Sequence, residues 1–118
     1  MNRIEIEVMT PGSALESFSR TWNQLESGES VVPRLAFGSL KELFSAITQK
    51  RLEMVRFVAG HGEMNTRQLS QQLERDYKNV YQDVKALVEL GLLDKSEKGG
   101  LIAPFDEIVI HAPVRDAA

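Results

Sequence analysis

The stretch Met64–Gly91, MNTRQLSQQLERDYKNVYQDVKALVELG, limits what this chain can fold into more than any other part of it. Its spacing predicts two helices joined by a tight turn. Asn65 stands three residues before Gln68, the capping-box spacing in which each side chain satisfies the other's backbone N–H. Leu69 and Leu73, one turn apart, mark the inner side of the first helix. Glu74 and Arg75 supply the turn, and Asp76 is a suitable N-cap for the second helix. At 100° per residue Val80, Val84 and Leu87 share one stripe, with Tyr77 and Val88 on its flank. Lys78, Gln82, Lys85 and Glu89 fall on the opposite stripe, and Gly91 closes the helix.

Two short helices with a turn of three or four residues have the form of a helix-turn-helix, whose second helix enters the DNA major groove. The outer stripe has suitable chemistry. Lysine binds phosphate or guanine, glutamine pairs bidentately with adenine, and Asn79 and Tyr81 sit beside them. Lys78 lies in the first turn, where the helix dipole disfavours a cation; a phosphate would remove that conflict. A solvated helix face has the same amphipathic pattern, so the following segment matters. Leu92–Lys95 and Leu101–Ala103 read as two short strands around Glu97-Lys98-Gly99-Gly100, a glycine turn between apolar runs. Helix, turn, helix and hairpin is the order of a winged helix, with Lys95 and Lys98 where a wing meets the DNA backbone.

The run RDYKNVYQDVKALVELGLL, with TQKRLEMVRFV before it and PFDEIVIH after it, resembles a family of small prokaryotic winged-helix regulators of the MarR type, often antitoxin-like and encoded beside a small toxin gene. The resemblance extends from about Phe37 to Ile110 and is strongest over Arg75 to Leu93. It implies DNA binding through Lys78, Asn79, Tyr81, Gln82 and Lys85. One departure is Glu74, where such turns usually carry glycine. If that position needs a positive φ, glutamate is a strained choice.

At 118 residues the chain is long enough for a modest core, and its 42% hydrophobic and 26% charged residues suit a globular domain. No apolar run approaches a membrane span and no signal-peptide pattern opens the chain, so a cytoplasmic protein without membrane partners is expected. Without cysteine there is no disulfide and no thiolate zinc site. The net charge of −3 argues against indiscriminate nucleic-acid binding and directs attention to its distribution. Residues 1–30 hold two basic and five acidic side chains, 31–64 five and three, 65–89 four and four, and 90–118 three and five. The acidic excess lies at the two ends, leaving a neutral to basic centre.

Ahead of that centre, Arg3–Val8 alternates Ile4, Ile6 and Val8 with Glu5 and Glu7, a half-buried strand. Pro11-Gly12 breaks it, and Ser13 with Glu16 has capping-box spacing for a helix to about Ser27. Leu15, Phe18, Trp22 and Leu25 form one apolar seam on that helix, suited either to its own domain or to a second copy. After the polar connection Gly28–Val32 and Pro33, Arg34–Phe37 reads as a short extended piece. Ser39 with Glu42 starts a short helix carrying Leu40, Leu43, Phe44 and Ile47. Thr48 caps a further helix through Val58, with Lys50 and Arg51 in its first turn, and Gly60-His61-Gly62 ends it. Met64 is placed to add a strand to the wing. Asp106–His111 is a further strand, apolar on both faces, and so expected to be covered on both sides or to pair, for example beside Arg3–Val8.

No catalytic case emerges. His61 and His111 lack metal-ligand spacing and read as satisfied or solvated, while Glu5-Glu7 and Asp106-Glu107 read as solubilising carboxylates on strand edges. Gly99-Gly100 lacks the lysine and helix of a phosphate loop.

The expected molecule is thus an α+β winged helix-turn-helix with an N-terminal strand-helix extension: residues 1–36 the extension, a possible dimerisation element; 37–112 the DNA-binding domain; 113–118 a disordered tail. It is expected to be a non-enzymatic, cofactor-free transcriptional regulator binding a double-stranded operator as a homodimer. Lys78, Asn79, Tyr81, Gln82 and Lys85 would read bases or hold phosphates, Arg67 and Arg75 would meet the backbone, and Lys95 and Lys98 would lie on the wing. The resemblance adds an autoregulating repressor or antitoxin role and a small cognate toxin as partner. The rival reading is a winged helix used only for protein contact, which the acidic balance favours.

Overall fold

Alternating Ile4, Ile6 and Val8 with Glu5 and Glu7 makes the first strand, β1 (Arg3–Val8), the centre of a three-stranded sheet. The computed structural model describes residues 2–9, 11–28 and 32–115, without the side chains of 11–14, 16 and 17. The chain is of mixed α+β class, and among the described residues no helix is long and apolar enough to cross a membrane.

After β1 come α1 (Pro11–Ser27), β2 (Arg34–Phe37) and α2 (Leu40–Ala46). Next are α3 (Gln49–His61), α4 (Thr66–Leu73), α5 (Tyr77–Glu89), β3 (Asp94–Lys95), β4 (Leu101–Ile102) and β5 (Glu107–His111). They divide into two compact units: residues up to Ser45 together with those from Glu107 onward, and Ala46–Asp106.

In the first unit β1 pairs in parallel with β2 on one side and β5 on the other. Parallel neighbours need a crossover, which α1 supplies between β1 and β2. The register sets Ile6 beside Leu35 and Ile110, and Ile4 beside Ile108, so these share one face; Ile4 and Ile6 are buried. The other face carries Glu5 beside Arg34 and Val109, and Glu7 beside His111. There Arg34 Nε donates to Glu5 Oε2 at 3.1 Å, and His111 Nε2 lies 3.7 Å from Glu5 Oε1. Burial pushes the Glu5 carboxyl up. The hydrogen bond and charge of Arg34, with the His111 and Arg3 charges, outweigh it and hold the group below its ordinary value. Glu5 is therefore a cross-strand anchor rather than a solubilising edge residue.

The start of α2 follows expectation in part. Ser39 Oγ accepts from the Glu42 amide, but the Glu42 carboxylate accepts from Gly38 N–H rather than from Ser39. The helix expected to start at a Ser13 cap begins instead at Pro11, so Ser13 lies inside α1. The side chains of Ser13 and Glu16, and residues 116–118 of the predicted tail, lie outside the described residues.

The second unit is three helices and a hairpin around Ile47, Met54, Val55, Val58, Met64, Leu69, Val80, Val84, Leu87, Leu92, Leu93 and Leu101, all buried. Thr48 caps α3 by accepting from Arg51 N–H, as its sequence position predicts. His61 closes that helix with Nδ1 2.9 Å from the Phe57 carbonyl and its ring stacked on Phe57. Met64 bridges to Leu101, whose amide donates to the Met64 carbonyl at 2.7 Å, adding a third partner to the β3–β4 hairpin. The first strand of that hairpin is shorter than Leu92–Lys95. Leu92 and Leu93 instead donate to the Leu87 carbonyl and Gly91 to Val88, the paired bonds of a Schellman end with Gly91 at φ 79°. Leu87 and Leu92 are both fully buried there.

The division of the chain differs from the 37–112 domain read from the sequence. Five consecutive residues of β5 are in register with β1, so the strand belongs with the N-terminal unit, and residues 37–45 belong there too. Strand pairing joins segments about a hundred residues apart, a link that no local pattern carries.

Candidate nucleic-acid interface

Helix α5 begins and ends on identifiable bonds. Asp76 accepts from the Asn79 amide, and α4 before it is opened by the full capping box, with Gln68 N donating to Asn65 Oδ1 and Asn65 N to Gln68 Oε1. Between the helices Glu74 adopts φ 54°, ψ 43°, the left-handed region, and is the one non-glycine with positive φ among the described residues. Its amide donates to the Gln71 carbonyl and that of Arg75 to Ser70, so the turn satisfies backbone groups that would otherwise be orphaned. A residue with a Cβ stands where glycine costs least.

This frame fixes the rotation of α5. Val80, Val84 and Leu87 are buried, whereas Lys78, Asn79, Tyr81, Gln82 and Lys85 are exposed. Seven of the nine candidate residues fall into three groups. Asn79, Gln82 and Arg75 line one shallow hollow with Thr48, Gln49, Lys50, Arg51 and Asp83. Tyr81, Lys85 and Lys95 line a second, between α5 and the hairpin, with Thr66, Val84, Val88 and Glu89. Arg67 lies over the Tyr77 ring at 4.7 Å, and Tyr77 packs against Tyr81 with centroids 6.1 Å apart. Lys98 is exposed in the hairpin turn, whose Ser96 Oγ accepts from the Lys98 and Gly100 amides and donates to Glu63. Lys78 is exposed but lines neither hollow.

One residue that sequence reasoning missed organises the first hollow. Asp83 accepts from Arg51 Nε through Oδ1 and from Arg75 Nη2 through Oδ2, each at 3.1 Å. Arg51 also donates to the Ala46 carbonyl at 2.9 Å. The carboxylate thus ties the start of α3, the α4–α5 turn and the middle of α5 together. Its sequence signal was faint: one acidic side chain on the flank of a lysine-glutamine ridge. Arg75 consequently has part of its donor set committed to Asp83. The carboxylates of Glu89 and Glu63 stand beside Lys85 and the hairpin turn.

A family model described as HVO_A0114 matches residues 46–110, more than half of the 118-residue chain. Comparison with curated proteins and with solved structures yields no match. The matched stretch starts at Ala46, the first residue of the second unit, and holds all nine candidate residues. The chain belongs to the HVO_A0114 family.

Proposed function

We propose that the chain is a sequence-specific double-stranded DNA-binding regulator of the winged-helix type, acting as a homodimer. The supporting observation is the exposed ridge of α5. Its apolar stripe is buried, its amide and lysine side chains face outward, and the hairpin bearing Lys95 and Lys98 flanks it. Such a ridge offers bidentate partners for base edges and charges for phosphates. Gln82 and Asn79 are the base-reading groups. Lys78, Lys85, Lys95 and Lys98 hold the backbone, and Arg67, ordered by Tyr77, adds a further cation on the α4 side.

Duplication suits the weak basicity of the chain. A single module with few cations binds modestly, and a two-fold arrangement on a palindromic site roughly doubles the binding free energy. The MarR-like resemblance extends the proposal to repression of the chain's own operon, with a small toxin as the cognate partner. A cytoplasmic location accompanies that role.

The test is a gel-shift titration with the chain's own promoter, followed by selection from a randomised duplex pool. Gln82→Ala is expected to change the selected base at one position by about 1–3 kcal/mol of discrimination, whereas Lys95→Ala weakens all sites alike. If Gln82→Ala leaves both affinity and preference intact, α5 is not the reading helix.

A further inference from the structure

Helix α1 lies in the sheet unit with its polar side inward. Arg34, on the charged face of the sheet, donates through Nη1 to Thr21 Oγ1 at 3.4 Å. Thr21 and Gln24 are half-buried, and Gln24 Oε1 is buried without a hydrogen-bond partner. The apolar seam faces away. Leu15 is 73% exposed, Phe18 67%, Trp22 54% and Leu25 61%. Phe18 stacks on Trp22 with centroids 6.5 Å apart, and Trp22 Nε1 donates to Glu26 Oε1 at 2.7 Å. An amphipathic helix normally buries this stripe. Here it is a contiguous exposed apolar patch, which marks an interaction surface.

We propose that this stripe is a dimer contact, formed by α1 packing antiparallel against α1 of a second copy. The proposal deepens the dimeric part of the function proposed above, although its grounds lie wholly in the sheet unit. The spacing of the seam reads the same in both directions: leucine to aromatic is a step of three, aromatic to aromatic a step of four, and aromatic to leucine a step of three. A two-fold axis crossing α1 at the level of residue 20 therefore sets Leu15 against the partner's Leu25, and Phe18 against the partner's Trp22. A self-complementary patch of this kind is what an isologous interface requires. No charged side chain interrupts the stripe. Glu26, its nearest acid, lies about 18 Å along the helix from its own symmetry mate, at 1.5 Å per residue, so the pairing brings no like charges together.

The available area fits a modest dimer. With aromatic side chains of about 150–250 Å² and leucines somewhat smaller, the exposed fractions leave roughly 400–500 Å² of apolar surface per copy. Two copies remove roughly 800–1,000 Å² before flanking atoms are added, near the lower bound of about 1,000 Å² for a specific interface. Dissociation on the order of micromolar is expected.

Sedimentation of the full chain without DNA tests the contact, whatever the DNA titrations show. Wild type is expected to dimerise with a micromolar midpoint, with the emission of its single tryptophan, Trp22, moving to longer wavelength on dilution. Phe18→Ser and Leu25→Ser should each weaken association at least tenfold while leaving the urea midpoint of the monomer unchanged, since both side chains are exposed. The chain has no cysteine, so orientation is read directly. Mixing Leu15→Cys with Leu25→Cys should give an oxidised heterodimer. Each variant alone should cross-link at least fivefold less, because its own symmetry mate lies about 15 Å away. A monomer at every concentration, dimerisation indifferent to Phe18→Ser, or efficient cross-linking of either single variant alone would overturn the proposal.

Discussion

Replacing Asp83 by asparagine removes one charge while keeping the shape of the side chain, and it isolates the clamp on α5. The carboxylate is 19% exposed and its partners Arg51 and Arg75 are 21% and 26% exposed. Fully exposed ion pairs contribute about 0–1 kcal/mol, whereas removing one partner of a fully buried pair costs about 3–5 kcal/mol. Two 3.1 Å contacts at this intermediate burial lie between those limits, and a loss of about 2 kcal/mol is expected. Arg51 retains its bond to the Ala46 carbonyl, which caps the loss. With a urea dependence of about 1–3 kcal/mol per molar, the midpoint should fall by about 1 M. Far-UV circular dichroism follows the helices, and a cycle with Arg75→Gln should return a coupling of about 1 kcal/mol. A midpoint change equivalent to under about 0.5 kcal/mol, the range of ordinary surface substitutions, would refute the clamp.

Glu74→Gly should stabilise the second unit by up to about 1 kcal/mol in urea unfolding, since φ 54° costs glycine nothing; a destabilised variant would show that the glutamate side chain contributes more than its backbone strain removes. Asn65→Ala should cost about 1 kcal/mol by removing half of a reciprocal cap, and a change below about 0.3 kcal/mol would show that the cap contributes little. Glu5 has a folded-state value held below its ordinary 4.5, so the stability it contributes is present above that pH and is lost as pH falls through the folded value. Wild type should therefore lose more stability between pH 6 and pH 3 than Glu5→Gln does in parallel urea titrations, and equal losses would contradict the anchor.

Local chemistry was legible where it was short-ranged. Asn65 with Gln68, Asp76, Thr48 and Gly91 each set a helix end within four residues, and each forms the bond its position implies. The inward valines of α5 and the turn strained at Glu74 follow from periodicity and from the absence of glycine. The pairing of β1 with β5 was one option among several, and its parallel direction was not legible at all, because apolar alternation marks a strand but neither its neighbour nor its direction. Asp83 was missed for the same reason: its partners lie 8 and 32 positions away, beyond any helix-face rule. The orientation of α1 was the least legible feature. Its seam suited either its own domain or a second copy, and it is the side of the helix holding Thr21 that meets Arg34 of the sheet. Periodicity identifies an apolar face without saying what covers it.

The proposed function rests on α5 presenting a DNA-reading ridge. The most direct measurement is the salt dependence of binding to a promoter duplex, followed by fluorescence anisotropy between about 50 and 200 mM salt. With Lys78, Lys85, Lys95 and Lys98 on phosphates, log K should fall against log salt with a slope of about −3 to −4 per chain, and Lys95→Ala should reduce that slope by about 1. A flat dependence, or a slope unchanged when Lys78, Lys85 and Lys95 are removed together, would contradict the claim and favour a partner that is not a nucleic acid.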